Sequence, residues 1–193
     1  MEKNFDQYLK ECITDSARLK YNLLGRTDEI EKIADEMVEC YKKGGKVLIC
    51  GNGGSAADSM HIAGELSGRF KLDRKSLEAY SLASDPIKIT AIGNDYGFEY
   101  IFSRQVEGSA EKGDVLIGIS TSGKSLNVIK GFEKGREIGT YNISFTGKGG
   151  GILKSLSDIC FEIPSEDTPR IQEAHELVYH LVCDLIEKKL FGK

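Results

Sequence analysis

Only three histidines occur in the 193 residues, at positions 61, 175 and 180, and two of them keep company that allows proton transfer. Glu65 follows His61 by four residues, which on a helix places both side chains on one face about a turn apart. Gln172 precedes His180 by eight residues with Glu176 midway, so Gln172 and His180 share a face roughly two turns apart. A carboxylate and an imidazole brought together from two helices can move a proton between adjacent carbons. Either set, taken alone, also reads as an ordinary solvated helix face or a surface ion pair. His175 is out of register with Gln172 and His180 and reads as structural.

The catalytic reading gains weight from two loops that could hold a phosphate. Gly51-Asn52-Gly53-Gly54-Ser55 follows an apolar run and opens a helical segment. Free N–H groups and the positive end of the helix dipole would face a ligand there, with Asn52 and Ser55 adding side-chain hydrogen bonds. With Ala56 the run also fits the dinucleotide fingerprint, yet no acidic residue ends a clear second strand about twenty residues on. The second loop, Gly118-Ile119-Ser120-Thr121-Ser122-Gly123-Lys124-Ser125, matches the Walker A pattern in full. A strand ending in the Mg²⁺-binding Asp is missing, and the loop comes too late in the chain for a P-loop core. What remains is a hydroxyl-rich loop, with Ser120, Thr121, Ser122 and Ser125 able to donate to a phosphomonoester.

Elements of two kinds must position these groups. Residues 1–43 carry apolar residues at helical spacing in two blocks, Phe5 to Ile13 and Ile30 to Val38, and predict a helix pair with Thr27 or Asp28 capping the second member. Residues 44–193 then alternate short apolar runs with helical stretches. Strands are expected at 46–50, 79–82, 114–119, 142–145 and 159–163, and helices at about 56–68 and 126–135. A last helix, with Thr168 as cap and Pro169 first inside, runs through Leu190. Strands separated by helices imply a parallel sheet covered on both faces, hence one α/β domain with a helical N-terminal extension. That extension either covers a sheet face or packs on another subunit, and the second use is favoured.

Composition narrows the partners. The net charge is −4, with no Lys/Arg cluster dense enough to follow a nucleic-acid backbone. No apolar run approaches a membrane span, and residues 1–20 lack the apolar core of a signal peptide. Five widely spaced cysteines with no Cys-x-x-Cys pair read as free thiols in a reducing cytoplasm.

Four segments carry a family resemblance: CGNGGSAADSMHIAGELSGRF from Cys50, GNDYGFEYIFSR from Gly93, GISTSGKSLNVIKG from Gly118 and TPRIQEAHELVYH from Thr168. The chain resembles, over nearly its whole length, the phosphoheptose isomerases (sedoheptulose 7-phosphate isomerases) of the sugar-isomerase (SIS) fold. The resemblance implies a three-layer α-β-α, flavodoxin-like fold with a central parallel five-stranded sheet, assembled as a homotetramer with sites between subunits. It implies conversion of sedoheptulose 7-phosphate to D-glycero-D-manno-heptose 7-phosphate through an enediol, the first step toward activated heptoses for bacterial surface glycans. Glu65 would move the proton at C1 and His180 would act at C2. Ser55, Ser120, Ser122 and Ser125 would hold the phosphate, with Asn52, Gly53, Gly54, Asn94 and Asp95 around the sugar. One zinc per subunit would bind His61, Glu65, Gln172 and His180. A carboxylate bound to zinc is a weaker base, so Glu65 is hard to use as ligand and free base at once. Lys124 and Tyr141-Asn142 depart from the family pattern away from this chemistry. Non-catalytic relatives that sense sugar phosphates or associate with the replication initiator are the rival expectation. Glu65, Gln172 and His180 together favour the enzyme.

Overall fold

Unbroken apolar runs such as Val47-Leu48-Ile49 and Val115-Leu116-Ile117 suit strands buried on both faces, and that is where they lie. The computed structural model describes residues 5–192, so Met1–Asn4 and Lys193 of the expected helix pair and core lie outside the described residues. The strands are β1 (Val47–Gly51), β2 (Ala79–Ser81), β3 (Val115–Ser120), β4 (Tyr141–Thr146) and β5 (Ile159–Glu162). They form one parallel sheet in the order β2-β1-β3-β4-β5. The helices are α1 (Phe5–Asn22), α2 (Thr27–Lys42), α3 (Gly54–Ser67), α4 (Pro86–Asp95), α5 (Ser103–Ser109), α6 (Leu126–Ile138), α7 (Leu153–Leu156) and α8 (Thr168–Phe191).

Side chains alternate across the sheet and so divide the core into two layers. Val47, Ile49, Val115, Ile117, Ile143 and Phe145 pack under α2, α3 and α8. Leu48, Cys50 and Leu116 meet Phe102, Val106, Val128 and Phe132 from the opposite side. The result is the three-layer α-β-α arrangement implied above.

The two N-terminal helices behave differently. α2 buries Ile30, Ile33, Ala34, Met37 and Val38 in the first layer. α1 lies along α8 and buries none of its described residues, leaving Phe5, Tyr8, Leu9 and Ile13 58–69% exposed. Two helix starts shift from expectation. A 3₁₀ turn over Leu23–Arg26 runs straight into α2, so neither Thr27 nor Asp28 is a cap. α8 begins one residue early: Asp167 stays extended at φ −84° and ψ 108°, and Thr168 is already helical. α4 and α5 were not expected, although Asp85 caps α4 by accepting from the N–H groups of Ile87 and Lys88, with Pro86 first inside. No helix among the described residues is long and apolar enough to cross a membrane.

His175 is wholly buried. Its Nε2 donates to the Thr146 carbonyl at 3.1 Å, while Nδ1 is buried without a partner. Burial pushes its pKa down from 6.5 to about 4. The unfolded chain therefore binds a proton that the folded chain refuses between those values. Stability should fall as pH drops from about 6.5 to 4, by about 3 kcal/mol from this group. Urea midpoints measured across that range should show a shallower acid limb in His175→Gln.

Candidate functional site

In this strand order the direction of winding reverses between β1 and β3, and ligands of such sheets bind beyond the carboxyl ends of those strands. Both candidate loops leave the sheet there, with Gly51 directly opposite Ile119. Gly53 adopts φ +56°, a conformation that glycine takes without strain, to turn the chain into α3. Gly54 admits α8: a Cβ there would stand 2.4 Å from the Gln172 amide nitrogen. The second loop keeps its hydroxyls clustered, Ser120 Oγ lying 2.9 Å from Ser125 Oγ. Ser125 is the N-cap of α6 yet makes no side-chain capping bond, so that hydroxyl remains available to a ligand. Ser122 Oγ accepts from the Lys124 N–H at 3.2 Å, and the Thr121 carbonyl accepts from the Gly147 N–H at 2.9 Å. The two loops are locked together by a reciprocal amide pair, Asn52 to Asn127, at 2.9 and 2.8 Å. A cleft of about 450 Å³ beside the second loop carries Lys124 and Lys148 on its rim.

About 10 Å along α3 from Gly54, at 1.5 Å per residue, lies the cluster of titratable groups. His61 Nε2 is 3.0 Å from Glu65 Oε1 and 3.4 Å from His180 Nε2. On the ring's other side, His61 Nδ1 meets the Tyr179 hydroxyl at 3.0 Å, and that hydroxyl reaches Asp58 Oδ1 at 3.5 Å. The Phe70 ring stacks on His180 with centroids 5.5 Å apart. His61, Glu176 and His180 each offer a ligand atom within 4.8 Å of the others. Glu65 touches His61 but lies outside that trio. Burial, and then the charge of Glu176, push the Asp58 carboxyl up to about 6, and its Oδ2 is buried without a partner.

Hydrogen-bond counting assigns the His61 tautomer. Tyr179 has one proton to give, and the Asp58 carboxylate can only accept. With that proton directed to Asp58, the hydroxyl accepts from His61 Nδ1–H, and Nε2 is left as a bare lone pair. A carboxylate oxygen and a second imidazole nitrogen then face that lone pair. Such a gathering of acceptors calls for a cation. Two nitrogens ~2.0–2.1 Å from a tetrahedral ion stand about 3.4 Å apart, so the donor set fits a divalent metal.

The SIS domain family matches residues 11–147. A phosphoheptose isomerase of Helicobacter pylori strain P12 is 49% identical over 188 residues, 97% of this chain and 98% of its own. One from Campylobacter jejuni is 53% identical over 160 residues, 83% of this chain and 86% of its own. Among solved structures, a phosphoheptose isomerase of Neisseria gonorrhoeae superposes with a TM-score of 0.91 at 38% identity, covering 96% of this chain and all of that one. The chain belongs to the phosphoheptose isomerase family.

Within a phosphoheptose isomerase fold the remaining expected residues are placed unevenly. Ser55 and Ser120 are buried at the loop floors, each 4% exposed. Asn94 and Asp95 end α4, hydrogen-bonded to each other at 2.8 Å, and among the described residues no hydrogen bond ties either to the two loops. The Walker-like segment contains a hydroxyl cluster in a family of sugar-phosphate enzymes, not an ATP loop. Sequence reasoning missed Asp58 and Tyr179, and it noted Glu176 between Gln172 and His180 without giving it a role, leaving that face open between a site and solvated charge. For Glu176 a signal existed, since it sits one turn before His180.

Proposed function

We infer that the protein is an aldose–ketose isomerase converting D-sedoheptulose 7-phosphate to D-glycero-D-manno-heptose 7-phosphate. The observation that carries this reading is the spacing of the site: a carboxylate–imidazole cluster about 10 Å along α3 from a hydroxyl-lined loop pair. An extended seven-carbon phosphate is about as long, so its phosphate can rest on the loops while C1 and C2 lie among Glu65, His61 and His180.

Ser55, Ser120, Ser122 and Ser125 donate to the phosphate, helped by the N-termini of α3 and α6. Asn52, Gly53, Gly54, Thr121 and Gln172 line the way to the sugar. Glu65 takes a proton from C1 as the C2 oxygen gains one, which gives the enediol. His180 then delivers a proton to C2 while the C1 hydroxyl gives up its own, and C1 becomes the aldehyde. The resemblance implies a zinc site of His61, Glu65, Gln172 and His180; because an ion there would occupy the lone pairs that the proton transfer uses, Glu65 and His180 would be exchanged off it as substrate binds. Bound there, the ion supplies Lewis-acid polarisation of the substrate's carbonyl oxygen.

The assembly is a homotetramer with sites between subunits, supported by the apolar face that α1 leaves open. Asn94 and Asp95 join the sugar site in that arrangement, and light scattering of the purified protein tests it. The free thiols among the described residues suit a reducing cytoplasm.

Incubation with sedoheptulose 7-phosphate, with zinc or with chelator, followed by NMR, tests the reaction. Aldoheptose phosphate is the expected product, and folded, zinc-loaded protein that yields none overturns the assignment. Ser122→Ala should raise KM roughly tenfold through loss of a bond to a charged phosphate, with kcat little changed. Affinity for unphosphorylated sedoheptulose should not move.

A further inference from the structure

We propose that Asn127 is a positioning residue of the substrate site, whose buried side chain turns the Asn52 amide toward the sugar and holds it at a fixed place relative to the phosphate loop. The proposal rests on the isomerase reading above, in which Asn52 lines the way to the sugar.

The loop that carries Asn52 does not hold that side chain by itself. Glycines stand at 51, 53 and 54, with Gly53 at φ +56°, and such a run gives its neighbours little fixed direction. Asn52 is half-buried, and among the described residues its side chain has one hydrogen-bond partner, Asn127. Asn127 is placed very differently. It lies in the first turn of α6 and is 3% exposed, too enclosed to meet a ligand itself. Gly51 and Ile119 are paired across β1 and β3, so the two loops leave the sheet side by side and the amides meet.

Three hydrogen bonds settle which way both amides point. Asn127 Oδ1 accepts from the Val128 N–H at 2.9 Å, so that atom is the oxygen and the amide cannot be turned over. The same Oδ1 accepts from Asn52 Nδ2 at 2.9 Å, and Asn127 Nδ2 donates back to Asn52 Oδ1 at 2.8 Å. A side-chain amide has two N–H donors and an oxygen with two lone pairs. Asn52 therefore keeps one N–H and one lone pair, both directed away from Asn127, and a sugar hydroxyl can use either. With α6 as its base, Asn127 supports Asn52 as a locked outer layer supports the groups that touch a ligand. The phosphate hydroxyls do not depend on the pair: Ser55 is buried within α3, and Ser120 is bonded to Ser125.

The test compares Asn127→Leu, of similar branched shape but making neither amide bond, with Asn127→Ala, each checked for fold by circular dichroism and urea midpoint. Calorimetric titration reads binding of inorganic phosphate and of sedoheptulose 7-phosphate, and NMR reads turnover. In both variants kcat/KM should fall by about 100-fold, the effect of a misplacement of about 1 Å. Affinity for sedoheptulose 7-phosphate should fall by up to about tenfold, as for a lost hydrogen bond. Affinity for inorganic phosphate, which does not reach Asn52, should stay at the wild-type value. In an Asn52→Ala background, replacing Asn127 should bring no further loss, because it acts through Asn52. Phosphate affinity that falls in step with substrate affinity would overturn the proposal, since the start of α6 with Ser125 would then have come apart. So would full additivity of the two substitutions, or wild-type kinetics in Asn127→Leu. Wild-type protein that binds sedoheptulose 7-phosphate without converting it would overturn the isomerase reading and leave the binding measurements to decide on Asn127. Wild-type protein that binds inorganic phosphate but not the sugar phosphate would overturn both.

Discussion

Glu65→Gln should lower turnover of sedoheptulose 7-phosphate by roughly 10³–10⁴-fold, the upper part of the range that a positioned acid–base group contributes. The substitution is close to isosteric and brings an amide N–H that can donate to the His61 Nε2 lone pair, which lies 3.0 Å from the Glu65 carboxylate. It touches neither serine loop, so substrate affinity and fold should survive. What is lost is the ability to receive a proton. The same variant should stop exchange of the C1 hydrogen with D₂O in the NMR tube, because exchange needs the enediol step but not completion of the reaction. Retention of either turnover or exchange would remove Glu65 as the base. Loss of turnover with exchange intact would move the defect to the second proton transfer, where His180 acts.

The sheet was legible in the sequence because its strands are buried on both faces and read as unbroken apolar runs, Val47–Ile49 and Val115–Ile119 above all. The two loops were legible for a related reason: glycines and hydroxyls follow those runs immediately. α4 escaped because none of its residues is buried, so its apolar residues show no face. The helix pair was readable as helices, whereas the difference between buried α2 and uncovered α1 depends on what each packs against, which spacing does not report. The site divides in the same way. His61 with Glu65, and Gln172 with His180, follow from helical spacing within one element. Asp58 with Tyr179 is a contact between side chains 121 residues apart, and nothing local to either segment announces it. Glu176 was visible but ambiguous, since an acid between two polar groups on one helix face is equally good as solvated charge.

Glu187 was the least legible of all, sitting in the Glu-Lys-Lys end of a helix that reads as surface charge, and its replacement should have the largest effect on stability. Its side chain is 1% exposed, as Arg74's is at 2%. Oε1 accepts from the Phe70 N–H at 2.8 Å and from Arg74 Nε at 3.0 Å, while Oε2 accepts from the N–H groups of Lys71 and Leu72, both at 2.8 Å. Arg74 in turn donates to the carbonyls of Glu65 and Leu66 at the end of α3. One buried ion pair thus ties α3 to α8 and lays Phe70 against the His180 ring. Glu187→Ala leaves a buried guanidinium and three N–H groups without their acceptor, which should cost about 3–5 kcal/mol, read as a shift in urea midpoint. Burial alone would raise the Glu187 carboxyl, but the three N–H groups and Arg74 more than offset it and hold it below 4.5. Its stabilising contribution is therefore complete above that value and is lost as pH falls through the lower folded one. The active-site consequence has its own signature. With Phe70 released, the His180 C2 proton should lose the ring-current shift of its stacked neighbour, and kcat should fall more than KM rises. A variant that unfolds more easily yet keeps that proton shift would show that the clamp stabilises the fold without positioning His180.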